Sequence, residues 1–291
     1  MINTPCNPGT PNPSDIAELK NVWSVIFGNV GLDAFFDNLF RPEHCVIARN
    51  DNNIAAMGYL LPAGNIVTNS KAVPCAMIYS IATLPQYRGL GLGTTVVNAL
   101  VNTAYDLGYP VAVLCPSEDS LFEYYRKNTT FQDYFYANEL TYRNMSHMAE
   151  HNSHLALEEL SIEEYLKLRE KLLDSKTHIS SDPSLLEYQQ KLCNEFGGGL
   201  FRIGGSCATI ECQSDGSVYV KELLTTDCDA TQVLASITSM FPSTKHTVRT
   251  PARTGGFYVG NRRFGMLASS DISIIGAEKI GHTPWYGLAF D

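Results

Sequence analysis

No two cysteines in this chain lie close enough in sequence to suggest a metal site or a redox pair. The eight cysteines are scattered, with Cys207 and Cys212 the nearest two, and no C-x-x-C occurs. Zinc and dithiol chemistry are therefore not expected, and scattered thiols suit a reducing, cytoplasmic setting. A basic stripe is also missing. The net charge of −9 divides into −4 over residues 1–145 and −5 over residues 146–291, which argues against nucleic acid as a partner. The longest apolar run, around residues 76–82, is far short of the roughly 20 residues that span a bilayer. Residues 1–13 are polar, rich in Asn and Pro, and lack the apolar core of a secretion signal. Neither membrane nor metal is expected.

What remains is ordinary globular composition, 44% hydrophobic and 18% charged over 291 residues, long for one domain and comfortable for two. Ser14 is placed to cap a helix over residues 15–27, and a shorter helix is expected over 32–40. Strands are expected over 45–49, 54–61 and 74–84, separated by Asn50-Asp51-Asn52-Asn53 and Pro62-Ala63-Gly64-Asn65, both good turn formers. A glycine loop, a helix to about Leu107, a short buried strand over 111–115, a helix over 120–128 and a strand over 131–142 complete the half.

The order then recurs. Ser161-Ile162-Glu163-Glu164 is a capping box opening a helix to about Leu173. Asp182-Pro183 starts another, ended by Gly197-Gly198-Gly199. Strands are expected near 200–203, 207–212 and 218–224, a helix from Asp229 to Met240, and strands near 246–250 and 263–268. The residues do not repeat, but the succession does. A duplicated α/β fold is expected, with domains at 1–145 and 150–291 and a linker over 144–153.

The stretch "PQYRGLGLGTTVVNAL", residues 85–100, sits between an expected strand and an expected helix. A P-loop would need lysine after its last glycine, and Gly93 is followed by Thr94-Thr95. A dinucleotide fingerprint counted from Gly89 or Gly91 finds Thr94 or Val96 where its third glycine belongs. Arg88-x-x-Gly91-x-Gly93 opening a helix is what is left. Glycines let successive N–H groups point into one concavity, and the helix N-terminus adds partial positive charge. Such a cradle suits a pyrophosphate without a metal.

That pattern resembles the Q/R-x-x-G-x-G/A signature of the GNAT family, the Gcn5-related N-acetyltransferases. "YSIATLPQYRGLGLGTTVVNALV" is similar to the family's strand-loop-helix core, and "SLFEYYRKNTTF" to its later "YYEKLGF" segment. Together they cover roughly residues 75–132. The resemblance implies two GNAT-like domains, each a mixed, mostly antiparallel twisted sheet flanked by helices, and acetyl-CoA as co-substrate. It implies that the amides of Gly89, Leu90, Gly91, Leu92, Gly93 and Thr94 hold the pyrophosphate, that Arg88 shapes the loop, and that the strand edge at Ile81, Ala82 and Thr83 pairs with the pantetheine arm.

The same resemblance implies direct attack by an amine on the thioester, with a tyrosine protonating the departing thiolate. The family tyrosine lies four or five residues before the terminal Phe. Here Tyr125 is six and Tyr124 seven before Phe131, and Thr130 stands where Gly is usual. Tyr125 is the first candidate and Tyr124 the second. Glu118, just past the strand at 111–115, is a candidate base, although an acid at a helix start also complements the dipole.

The second half reads "LLTTDCDATQ" where strand meets helix. It has no glycine, and Asp227 and Asp229 would repel a pyrophosphate, so a degenerate copy is expected. An active fold followed by a silent one resembles the Eis-type acetyltransferases without their third domain. In those enzymes the terminal carboxylate lies in the catalytic pocket, which here implicates Asp291. The acceptor is left open among small-molecule amines and protein lysine, as is the oligomeric state. A non-catalytic acyl-CoA-binding module and an N-acyltransferase for longer chains remain as alternatives.

Overall fold

The computed structural model describes residues 7–68, 71–143, 155–225, 230–251, 261–271 and 283–290. The first half runs α1 (Ile16–Phe27), α2 (Leu32–Asn38), β1 (Cys45–Asn50), β2 (Asn53–Val67), β3 (Ala72–Thr83), α3 (Leu92–Asp106), β4 (Val111–Leu114), α4 (Asp119–Asn128) and β5 (Gln132–Arg143). The second runs β6 (Leu157–Glu159), α5 (Ile162–Leu173), β7 (His178–Ser181), α6 (Pro183–Asn194), β8 (Gly199–Ile203), β9 (Ser206–Cys212), β10 (Val218–Leu224), α7 (Ala230–Met240), β11 (Lys245–Pro251) and β12 (Asn261–Ser269). The α/β class and the recurring order of elements are as expected from the sequence. The expected linker and Asp227 and Asp229 lie outside the described residues.

The boundaries differ in three places. Helix α1 starts after a 3-10 turn at Pro13–Asp15, and its polar anchor is Asp15 rather than Ser14. The Asp15 carboxylate accepts from Asn12 N at 2.7 Å and pairs with Arg49 at 2.6 Å, which draws its carboxyl below the usual range. Residues 62–65 are not a turn but the middle of β2. The ladder shifts register there, and Gly64 adopts φ +108°. A Cβ at Gly64 would stand 1.8 Å from Ser180 O, so the glycine serves the close approach of β7. Strands β6 and β7, three and four residues long, were not anticipated, because segments this short carry no periodic pattern.

Among the described residues the strands join one twelve-stranded, mostly antiparallel sheet, ordered β1-β2-β3-β4-β12-β5-β11-β10-β9-β8-β6, with β7 added beside β2. The two halves are interleaved. In each, the third strand of a meander runs parallel to the strand after the following helix, β3 with β4 and β10 with β11. The last strand of each half then inserts into the other. β12 lies between β4 and β5, and β5 lies between β12 and β11. The pairings β4–β12 and β5–β11 are equivalent, so the centre of the sheet is approximately two-fold symmetric.

Helices α3 and α4 cover one face of the first half through Val96, Val97, Leu100 and Phe122. The leading helices of both halves, α1, α2, α5 and α6, share one core on the other face, with residues 285–290 built into it. That last segment is held by a buried ionic knot. Arg169 donates to Glu222 at 2.8 and 3.1 Å, to Ile179 O at 2.8 Å and to Tyr286 O at 3.3 Å. Glu222 also accepts from Tyr165 Oη at 3.0 Å and Trp285 Nε1 at 2.8 Å. Buried charges persist only when their hydrogen bonds are met; here four donated hydrogen bonds reach the carboxylate, and the guanidinium donates to it and to two backbone carbonyls. The chain end is thereby anchored beside the sheet's first half.

Candidate active site

The glycine loop leaves β3 through a 3-10 turn at Pro85–Tyr87. Arg88 Nε donates to Thr83 O at 3.3 Å, tying the loop back to the strand it left. Gly89 and Gly91 adopt φ of +82° and +77°, a region that costs an ordinary L-residue. Neither glycine is demanded by packing, since a Cβ at either would meet nothing within 4 Å. Gly91 is the N-cap of α3, and the first backbone bond into its carbonyl comes from Thr95 N. Among the described residues, the N–H groups of 89–94 make no backbone hydrogen bond. They sit at the N-terminus, the positive end, of a fifteen-residue helix.

Alongside this loop the sheet opens. β3 and β4 pair only over Cys75–Val111, Ala76–Ala112 and Met77–Val113. Beyond Met77, β3 continues for six residues with its β2 edge paired and the other edge unmatched by β4. The divergence coincides with an extra residue in β3. Met57 opposes Ala82 while Tyr59 opposes Tyr79, and Ser80 takes φ +48°. Ile81, Ala82 and Thr83 thus flank the opening, with Ala82 buried and Ile81 on its wall.

A cavity of about 370 Å³ occupies the opening and crosses the sheet. On the α3–α4 side its wall includes Leu121 and Tyr125; in the plane of the sheet, Ser80, Ile81, Cys115 and Pro116. On the other side it meets Trp23, Phe27, Tyr79 and Phe290. Phe290 packs edge-on against Tyr79 and Tyr188, with centroids 5.4 and 5.1 Å apart. The far wall belongs to the second half: Gln189 of α6, Glu211 of β9 and Lys221 of β10.

The two candidate tyrosines are separated by this geometry. Tyr125 is 8% exposed and lines the cavity. Burial, with Tyr124 beside it, pushes its hydroxyl up to about 12, so it carries its proton at neutral pH. Tyr124 is 37% exposed and turns to the glycine loop, its Oη 2.7 Å from Thr94 Oγ1. The odd spacing before Phe131 has a local cause. α4 ends at Asn128, and Thr129 leaves it in extended conformation, φ −138°. Thr129 Oγ1 bonds Tyr125 O at 2.6 Å and accepts from Phe131 N at 3.2 Å. A glycine is usual where a chain leaves a helix left-handed; this exit is not left-handed, so Thr130 is tolerated.

Glu118 is exposed at the N-cap of α4, accepting from Ser120 Oγ at 3.3 Å, and does not line the cavity. Asp291 lies outside the described residues, one position beyond Phe290. Gln189, Glu211 and Lys221 were not anticipated. The available signal was Lys221-Glu222 inside the apolar run "VYVKELL", where strand patterning alone would place no charge. Among the described residues, no three His, Cys, Asp or Glu side chains cluster as metal ligands, and no helix is long and apolar enough to cross a membrane.

Comparison with known proteins bears on this arrangement. The model of the acetyltransferase (GNAT) domain matches residues 10–128. No curated protein matches the chain in sequence. A GCN5-related N-acetyltransferase from Kribbella flavida superposes with TM-score 0.65 at 12% identity, over 89% of this chain and 71% of its own. One from Anabaena variabilis gives 0.66 at 16%, over the same shares of 89% and 71%. Eis1 from Mycobacterium abscessus gives 0.61 at 12%, over 92% of this chain and 74% of its own. Those likenesses extend across both halves of the interleaved sheet, whereas the family model ends within the first. Residues 10–128 match the acetyltransferase (GNAT) domain model, and the chain as a whole shares its fold with GCN5-related N-acetyltransferases.

Proposed function

We propose that this protein is an acetyl-CoA-dependent N-acetyltransferase acting on an amine in the cytoplasm. In this reading residues 1–145 carry the chemistry, and residues 150–291 are a silent copy that completes the acceptor pocket. The observation carrying it is a coincidence of place. A glycine loop whose amides make no backbone hydrogen bond follows β3, whose Ser80 and Ile81 line a cavity that crosses the sheet, and a buried protonated tyrosine lines the same cavity.

Acetyl-CoA would supply the activated acyl group. Residues 89–94 bind its pyrophosphate through backbone N–H groups, helped by the α3 N-terminus. Arg88 holds the loop in shape, and the free edge at Ile81, Ala82 and Thr83 orients the amide-rich arm. The cavity aligns the amine with the carbonyl from the opposite face, removing the entropy of a bimolecular encounter. Tyr125 holds a proton for the departing sulfur. Tyr124 braces the cradle through Thr94. Asp291, following Phe290, is the proposed carboxylate at the acceptor end.

The test is thiol release from acetyl-CoA across a panel of amines. Release with at least one amine, at a rate well above hydrolysis, is expected. Tight acetyl-CoA binding without release for any amine would make the protein a binding module.

A further inference from the structure

Helix α4 carries both tyrosines of the site but is a poor structure on its own. It has ten residues, fewer than the roughly 12 a helix needs to persist alone in water. Its buried side chains are Phe122 and Tyr125, so the proton donor is itself half of the apolar anchor. The rest of the hold is ionic. Asp119, Phe122, Glu123 and Arg126 recur at helical spacing, and all four meet β5 or β12. Arg126 bonds Asp133 of β5. The other three meet one side chain, Arg263 of β12. Its Nη1 donates to Glu123 Oε1 at 2.7 Å, its Nη2 lies 3.7 Å from Asp119 Oδ1, and its guanidinium sits 4.8 Å over the Phe122 ring.

Strand β12 is shaped for this contact. Along a regular strand, residues three apart point to opposite faces. Arg263 and Met266 nonetheless both serve the α3–α4 face, Met266 packing in the core beneath those helices. Between them the ladder with β5 shifts register on both sides of Gly265, an irregularity of the kind that re-aims a side chain. A Cβ at Gly265 would stand 3.2 Å from Cys115 Sγ, so the irregular stretch is packed against a residue of the cavity wall. Arg263, followed by Arg126, draws the Glu123 carboxyl below the usual range, which keeps it ionised at neutral pH. The bond from Arg126 to Glu123, 2.6 Å long, stays within α4 and ties it to nothing else. A lone exposed ion pair contributes little, but a planar guanidinium that meets two carboxylates and a ring fixes a geometry.

We propose that Arg263 is a positioning residue: reaching over from the second half, it fixes α4 so that the Tyr125 hydroxyl is presented to the cavity. The second half, silent towards coenzyme A, thereby takes part in proton delivery. This rests on the acetyltransferase reading with Tyr125 as the acid. Displacing a reacting group by about 1 Å costs about 10²-fold, so Arg263→Met should lower kcat with the best amine by about 10- to 100-fold, with acetyl-CoA affinity and Tm nearly unchanged. Arg263→Lys keeps the charge but not the fork, and should recover part of the rate. A double-mutant cycle separates positioning from general support. Once Tyr125→Phe has removed the hydroxyl, Arg263→Met should cost little more. If Arg263→Met does not fold, Glu123→Gln loosens the same clamp from an exposed helix position and takes its place in the cycle. Backbone hydrogen exchange is followed in parallel: the α4 amides should exchange several-fold faster in the variant while α3 keeps its protection. Unchanged kcat in the folded variant, a full further loss on top of Tyr125→Phe, or unchanged exchange in α4 overturns the proposal. Faster exchange confined to α4, with no amine acetylated by the native protein, would uphold the hold of Arg263 on α4 and overturn the transferase reading instead.

Discussion

Gly91 separates what the backbone requires from what a ligand requires. It caps α3 at φ +77° with nothing within 4 Å of a Cβ. Gly91→Glu therefore causes no clash and costs only the left-handed conformation, about 1–2 kcal/mol. For domains somewhat shorter than this chain that lowers Tm by roughly 2–8 °C. The new carboxylate enters the amide concavity. Against a phosphate about 4 Å away at an effective dielectric of about 20, repulsion is about 4 kcal/mol, or about 10³-fold in affinity. Gly108 is the matched control. It follows the same helix at its other end, at φ +84°, again with nothing within 4 Å. Gly108→Glu should lose similar stability and no acetyl-CoA affinity. Calorimetric titration with acetyl-CoA and thermal unfolding of both variants decide the matter. Unchanged affinity in folded Gly91→Glu, or equal losses in the two variants, would refute the cradle.

Tyr125→Phe should lower turnover by about 10²–10⁴-fold with acetyl-CoA affinity retained, whereas Tyr124→Phe should mainly weaken the cradle; the reverse pattern in steady-state kinetics would move the acid by one residue. Because burial raises Tyr125 to about 12, its neutral form is the native one. The stability this burial confers is complete below pH 10 and is lost as pH climbs towards 12, so an alkaline fall in rate near pH 8 cannot be assigned to this hydroxyl. Titration with acetyl-CoA should give one site per chain, and two equivalent sites would refute the silent second half. Deleting Phe290 and Asp291 should abolish transfer while leaving acetyl-CoA affinity and Tm nearly unchanged, since Trp285 and Tyr286 keep the buried anchor; an active truncation would remove the chain end from the mechanism.

The sequence by itself determined the elements and the backbone of the glycine loop. Glycines at 89 and 91, a helix pattern starting at Leu92 and a preceding apolar strand are features of adjacent residues, and local sterics decide the backbone there. The capping box at Ser161 and Glu164 was legible for the same reason. Only the tertiary structure decided how the sheet is joined. Nothing near Leu114 or Met266 says that they oppose each other, because pairing across about 150 residues depends on the whole sheet's burial rather than on local preference. The bulge in β2 at Pro62 to Asn65, the different surroundings of Tyr124 and Tyr125, and the cavity wall of Gln189, Glu211 and Lys221 were decided at that level. A strand pattern can reveal a charge that does not belong, as Lys221 did, but not what it faces. Its neighbours across the cavity are set by the packing of α6, β9 and β10 against the opening between β3 and β4.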